Sequence, residues 1–201
     1  MLSKLTRRSA LSGLTAGLAG LALSGPAVAL NTDQARQLID RLVGEINRVI
    51  NSGKPESAMY SDFERIFADY ADVPIIARSA LGVAARSASA AQMNAFTTAF
   101  RGYLSRKYGK RFREFIGGKL EVESARAVKS FYEVKTTAYL RGEAPFEVVF
   151  LVSDKSGRDL FFNMYIEGVN MLATERTEIG AMLDARRGNI DQLIQDLKTA
   201  G

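Results

Sequence analysis

Between Ser89 and Phe115 apolar residues return every three or four positions: Met93, Phe96, Phe100, Leu104, Tyr108, Phe112 and Phe115. That spacing puts them on one face of a helix. Ser89 with Gln92 three residues on predicts a capping box at its start, and Gly117-Gly118 a break at its end. The face is rich in aromatic rings, while Arg101, Arg106, Lys107, Lys110, Arg111 and Arg113 crowd the rest of its second half. Such a stripe has to be covered by something large and apolar, either protein alone or protein and a lipid.

Upstream of this helix the period is helical throughout. Asn31-Thr32-Asp33 offers an N-cap to a stripe of Leu38, Ile39, Leu42, Val43, Ile46, Val49 and Ile50, which Ser52-Gly53-Lys54-Pro55 closes. A second helix passes through Phe63, Ile66, Phe67 and Tyr70. A short third starts at Asp72-Val73-Pro74 and runs through Ile75, Ile76 and Leu81 to Gly82. From Lys119 the period shortens to that of strands: Leu120 and Val122, then Phe131 to Leu140, Phe146 to Val152, and Leu160 to Ile166. Tyr132 and Val134 point one way and Glu133 and Lys135 the other; Phe146, Val148 and Phe150 share a face. Short turns between these strands make a four-stranded antiparallel meander. Helices through Leu172 to Leu183 and Ile190 to Leu197 follow, divided by Gly188 and Asn189. Helices, then a sheet, then helices is the order of an α+β fold, with a layer of helices over one face of a curved sheet.

The amino terminus reads differently. Lys4, Arg7 and Arg8 precede an apolar run from Ala10 to Leu23, and Ala27-Val28-Ala29 supplies small residues for cleavage, so residues 1–29 are expected to be an export signal. Thr6-Arg7-Arg8-Ser9-Ala10-Leu11 also resembles a twin-arginine signal, with alanine where phenylalanine is usual, and both export routes stay open. The run is too short and glycine-rich to span a membrane. Residues 30–201 then form a single domain, expected to be soluble and periplasmic. No cysteine follows the cleavage site to carry a lipid anchor.

Composition narrows the chemistry. The 201 residues include Cys 0 and His 0, which removes disulfides, thiolate nucleophiles, the commonest general base and the commonest zinc ligand. Together these exclude most hydrolase and metalloenzyme designs. The leader carries Lys4, Arg7 and Arg8 and no acid, so the formal +5 of the whole chain falls to +2 without it. That near balance, in an exported protein, does not support nucleic acid as a partner.

Two blocks of sequence resemble a known family. One is Ile75-Ile76-Ala77-Arg78, Leu81-Gly82, Ser89-Ala90-Ala91-Gln92 and the row Phe96, Phe100, Leu104, Tyr108. The other is Ile166-Glu167-Gly168-Val169-Asn170-Met171, Glu175-Arg176, Ile179 and Leu183, closing on Ile190 to Leu197. In order and spacing they are similar to the MlaC, or toluene-tolerance, family over nearly all of the chain after the leader. The resemblance implies a periplasmic carrier that moves phospholipid between an outer-membrane lipoprotein–porin complex and an inner-membrane ABC transporter, with no cofactor beyond the lipid cargo. It also implies a cone-shaped fold whose sheet and helices enclose the acyl chains in an apolar cavity. Asn163 stands where the family commonly has aspartate and Asn170 where serine is common, and no tryptophan precedes the last strand. These departures bear on which lipid is carried, a hopanoid being the alternative cargo.

Each methylene exposed to water costs roughly 0.8 kcal/mol, so a chain of about sixteen carbons costs on the order of 12 kcal/mol to carry bare. A carrier needs matching apolar area with few polar anchors. The expected lining is Ile75, Ile76, Leu81, Phe96, Phe100, Leu104, Tyr108, Tyr132, Val134, Phe146, Val148, Phe150, Met164, Ile166 and Val169, and each of these also suits a plain core. The basic residues from Arg101 to Arg113 suit an anionic headgroup, an acidic docking surface or a solvated helix face. Arg176 is positioned to pair with Glu167, and Gly168 to meet a backbone need where strand gives way to helix. An enzyme on a similar cone-shaped fold is the rival reading. It would need carboxylates within reach of each other in the cavity, and no spacing in the sequence marks such a pair.

Overall fold

Asn31 caps the first helix in both directions. Its side chain accepts from the N–H of Gln34, whose side chain accepts from the N–H of Asn31. This box opens α1 (Thr32–Ile50), whose apolar stripe from Leu38 to Ile50 is buried. The computed structural model describes residues 30–112 and 114–201. The export signal expected at residues 1–29, Arg113, and the side chains of Arg111 and Phe112 lie outside the described residues.

Helix α2 (Glu56–Tyr70) follows, then α3 (Val73–Leu81), where Asp72 accepts from the N–H of Ile75 and Pro74 occupies the first turn. Gly82 ends α3 with φ +65° and ψ −131°, a backbone conformation open to glycine and strained for any residue with a Cβ. The alanines beyond it form a short 3₁₀ turn (Gly82–Arg86) rather than prolonging the helix. Ser89 and Gln92 make the expected reciprocal pair at the start of α4 (Ala90–Phe112). No helix among the described residues is long and apolar enough to cross a membrane.

The sheet has five antiparallel strands in chain order, β1 (Lys119–Val128), β2 (Phe131–Tyr139), β3 (Phe146–Ser153), β4 (Leu160–Ile166) and β5 (Val169–Asn170). It is open, and one strand larger than the sequence pattern predicts. Glu167 and Gly168 both take positive φ, +50° and +79°, as a two-residue type I′ hairpin requires. That turn folds Val169 and Asn170 back onto Ile166 and Tyr165. Two residues are too few to display a period, so β5 left no pattern to read. Helices α5 (Met171–Ala185) and α6 (Ile190–Leu197) complete the chain, and Asn189 caps α6 through the N–H of Gln192.

Register aligns the inward side chains into rows across the sheet. Val134 opposes Phe150, which opposes Met164; Thr136 opposes Val148, which opposes Ile166. The outer face is mixed, with Lys135 paired to Glu147 and Arg126 to Glu133 beside Val149, Leu151 and Tyr165. Bulges in β1, between Val122 and Ser124, and between β3 and β4, near Leu151, bend the strands they interrupt. Helix α1 covers the β1–β2 end of the inner face, while α3 and α5 reach β4. The long helix α4 packs chiefly on α2, α3 and α6, one layer away from the strands.

Candidate functional site

Where α1 stops covering the sheet, a pocket of ≈ 440 Å³ lies between the inner face of β3 and β4 and the helices. Its sheet wall is Phe146, Val148 and Phe150 from β3 and Phe161, Phe162, Met164 and Ile166 from β4. The opposite wall takes Leu42 and Ile46 from α1, Phe63, Ile66 and Phe67 from α2, Ile76 from α3, Leu104 and Tyr108 from α4, and Met171 and Leu172 from α5. Aromatic edges lock the wall: Phe161 meets Phe67 at 5.9 Å and Phe150 at 5.5 Å, and Phe115 meets Phe146 at 6.0 Å. Gly109 also lines the pocket because Tyr60 needs the space: a Cβ there would stand 2.4 Å from its ring.

The polar part of the lining is one-sided. It includes four glutamates and no lysine or arginine among the described residues. Glu114, Glu143 and Glu167 are exposed at the rim, and only Glu175 is buried, at 3% exposure. Glu175 anchors a clamp between α4 and α5. Lys107 Nζ and Tyr108 OH both donate to its Oε1, at 2.7 and 2.6 Å, and Lys107 also donates to Glu178, as does Tyr103 OH at 2.8 Å. Burial works to lower the Lys107 ammonium, but the hydrogen bonds to Glu175 and Glu178 carry it above the ordinary lysine range. Burial, then the charge of Glu175, pushes the Tyr103 and Tyr108 phenols well up. All three therefore hold their protons at neutral pH, a poor arrangement for proton transfer and a firm one for tying two helices.

The expected lining divides. Ile76, Leu104, Tyr108, Phe146, Val148, Phe150, Met164 and Ile166 come together around the pocket. Leu81, Phe96, Phe100 and Val134 are buried in solid core away from it, Val134 at the β2 end that α1 covers. Tyr132 is spent on the segment just ahead of α1, its OH donating to the Leu30 carbonyl at 2.6 Å. Ile75 and Val169 point outward, 44% and 54% exposed, Ile75 on the outer side of α3 and Val169 on the edge strand. The α1 and α2 residues of the wall, and Phe161, Phe162 and Leu172, were missed. They belong to apolar stripes that are plain in the sequence, but nothing local says which stripe faces a void. Glu175 did leave a signal, as the one carboxylate in the row Leu172, Glu175, Ile179, Leu183 at spacings of three and four.

One electrostatic expectation is narrowed and another corrected. The described part of the α4 basic cluster is largely occupied within the chain: Arg101 by Glu64 at 3.1 Å, Arg106 by the Ala200 carbonyl at 2.9 Å, Lys110 by the Gly201 carbonyl, and Lys107 by the clamp. The Arg176–Glu167 pair does not form. Glu167 sits in the hairpin turn at the pocket rim, while the Arg176 guanidinium lies over Gly82, its Nε 3.4 Å from where a Cβ would be.

A solved structure with this architecture is that of the phospholipid-binding protein from Ralstonia solanacearum, determined in complex with a phospholipid. It is 18% identical, covers 81% of this chain and 94% of its own, and superposes with a TM-score of 0.69, a likeness of fold. Residues 36–199 match the family model described as MlaC protein, nearly the whole of the described chain, and the chain belongs to the MlaC family.

Proposed function

We propose that this protein is a periplasmic carrier of phospholipid, moving it between an outer-membrane lipoprotein–porin complex and an inner-membrane ABC transporter, with lipid as cargo and no cofactor. The observation that carries the reading is the apolar pocket between sheet and helices in a chain of this family. Its volume of ≈ 440 Å³ falls within the roughly 300–1,000 Å³ of small-molecule sites. The bound lipid of the Ralstonia protein supports that this fold accepts a phospholipid.

The chemistry of the wall supports binding rather than catalysis. Apolar side chains dominate it, its one buried carboxylate is tied into a clamp, and the phenols and ammonium around that carboxylate hold their protons. Many weak dispersion contacts with few polar anchors suit a cargo that has to be given up again.

The test is organic extraction and mass spectrometry of protein purified from cells that export it. The expected result is about one equivalent of co-purified phospholipid, and the masses separate diacyl, single-chain and hopanoid cargo. Lipid-free protein that also takes up no fluorescent phospholipid from vesicles would overturn the proposal.

A further inference from the structure

Three arginines converge on the side of the molecule formed by α3, the 3₁₀ turn and α5. Arg78, Arg86 and Arg176 line a depression of ≈ 260 Å³ together with Ser79, Gly82, Val83 and Ala85. Among the described residues no carboxylate belongs to its lining, and it shares none with the apolar pocket. Among the described residues none of the three guanidiniums is ion-paired, whereas Arg65, Arg101, Lys107 and Arg186 all are. Arg78 and Gly82 are part of the first sequence block singled out above, and Arg176 of the second, yet the apolar pocket uses none of them.

Helix ends account for only part of this arrangement. Arg78 and Arg86 stand near the C-terminal ends of α3 and the 3₁₀ turn, where a cation offsets the partial negative charge of free carbonyls. Arg176 starts from the second turn of α5, away from the C-terminus of its own helix, and brings its guanidinium over Gly82 at that same end of α3. Three like charges around one hollow repel one another unless an anion sits between them. Gly82 leaves the hollow bare at backbone level, its positive φ being strained for any residue with a Cβ, and the Arg176 guanidinium lies beside it. Ser79 adds a hydroxyl to the same wall.

We propose that Arg78, Arg86 and Arg176 form a binding site for a phosphate group, separate from the apolar pocket. Guanidinium forks match oxyanions through paired N–H donors, and three forks exceed what the two oxygens of a carboxylate can occupy. A tetrahedral phosphate offers enough oxygens for all of them. The phosphate is either free in solution or the monoester headgroup of phosphatidic acid presented by a bilayer, since a phosphodiester headgroup has only two free oxygens, and the two arms of the experiment tell them apart.

In the first arm, amide chemical shifts of the full domain are followed during titration with inorganic phosphate against chloride at equal ionic strength. In the second, the protein is sedimented with vesicles of phosphatidylcholine with and without phosphatidic acid. The expected result is a saturable response confined to residues 78–86 and 174–178, or retention on the phosphatidic acid vesicles alone. Either is expected to weaken at least tenfold in the Arg78→Gln/Arg176→Gln variant. The Arg41→Gln/Arg48→Gln variant loses the same charge from exposed positions of α1 and is expected to behave as wild type. Equal weakening in both variants would overturn the site, as would wild-type protein that shows neither a phosphate-specific response nor retention. These outcomes do not depend on whether the apolar pocket carries lipid.

Discussion

Phe96 and Phe100, in the first half of α4, are fully buried and stacked at 5.5 Å, with Tyr103 next in the row at 6.0 Å. Leu104 and Tyr108, farther along the same face, line the pocket. The spacing of the stripe does not change between the two halves and both are apolar or aromatic, so the stripe alone does not encode the difference. It arises from the layers opposite, which close on Phe96 and Phe100 but leave the wall of β3 and β4 facing Leu104 and Tyr108 across a gap. A helical stripe fixes which side of a helix must be dry, and the opposite layer decides whether protein or something else keeps it so.

Truncation is the hardest way to break the contrast. Phe100→Ala removes a ring from solid packing and is expected to cost about 3–5 kcal/mol, read as a lower denaturant midpoint at unchanged slope. Leu104→Ala, whose side chain already borders open volume, is expected near the low end for its type, about 2 kcal/mol. Equal losses at the two positions would mean that the pocket half is packed as tightly as the core half.

Filling sharpens the contrast from the other side. Val148 lies midway along the sheet wall of the pocket, between Thr136 and Ile166 in its row. Val148→Trp puts an indole into the gap, with an expected stability change of about 1 kcal/mol or less, because there is room to receive it. Uptake of labelled lipid from vesicles is expected to fall about tenfold, equivalent to roughly 1.4 kcal/mol of binding. Unchanged uptake would place the lipid elsewhere.

How much could be read beforehand follows the same division between local and nonlocal causes. The N-cap at Asn31, the Ser89–Gln92 box, the Asp72 cap and the glycine stop at Gly82 depend on residues three or four apart, and each stands where the pattern put it; the reciprocal bond from Gln34 at Asn31 went unread. The row Val148, Phe150, Met164 and Ile166 was readable because strand period and short turns fix register. Phe96 and Val134 were not separable from lining residues, since their covering layers come from distant segments. The departures at Asn163 and Asn170 were visible singly, but their connection was not. Asn163 Nδ2 donates to Asn170 Oδ1 at 3.0 Å, while Asn163 Oδ1 accepts from the N–H groups of Met164 and Leu172. An ionised aspartate could accept the last two but could not donate the first, so the two asparagines fit each other.

The smallest expected effect concerns the clamp that holds the pocket half of α4 against α5. Burial tends to raise the Glu178 carboxyl, but the hydrogen bonds from Lys107 and Tyr103 outweigh it and leave the group below its ordinary value. A depressed carboxylate contributes stability that is present above its unfolded pKa, about 4.3, and is lost as pH falls through the folded value. Stability is therefore expected to decline below about pH 4.5, with Glu178 supplying only a few tenths of a kcal/mol, because its side chain is 45% exposed and screened by water. Glu178→Gln should flatten that part of the profile and leave the neutral-pH midpoint nearly unchanged, since Lys107 keeps its bond to Glu175. Denaturant titrations of both proteins between about pH 3 and 7 read this directly. A variant with an unaltered acid slope would show that α4 is held to α5 by Glu175 alone, with Glu178 riding on the surface of the clamp.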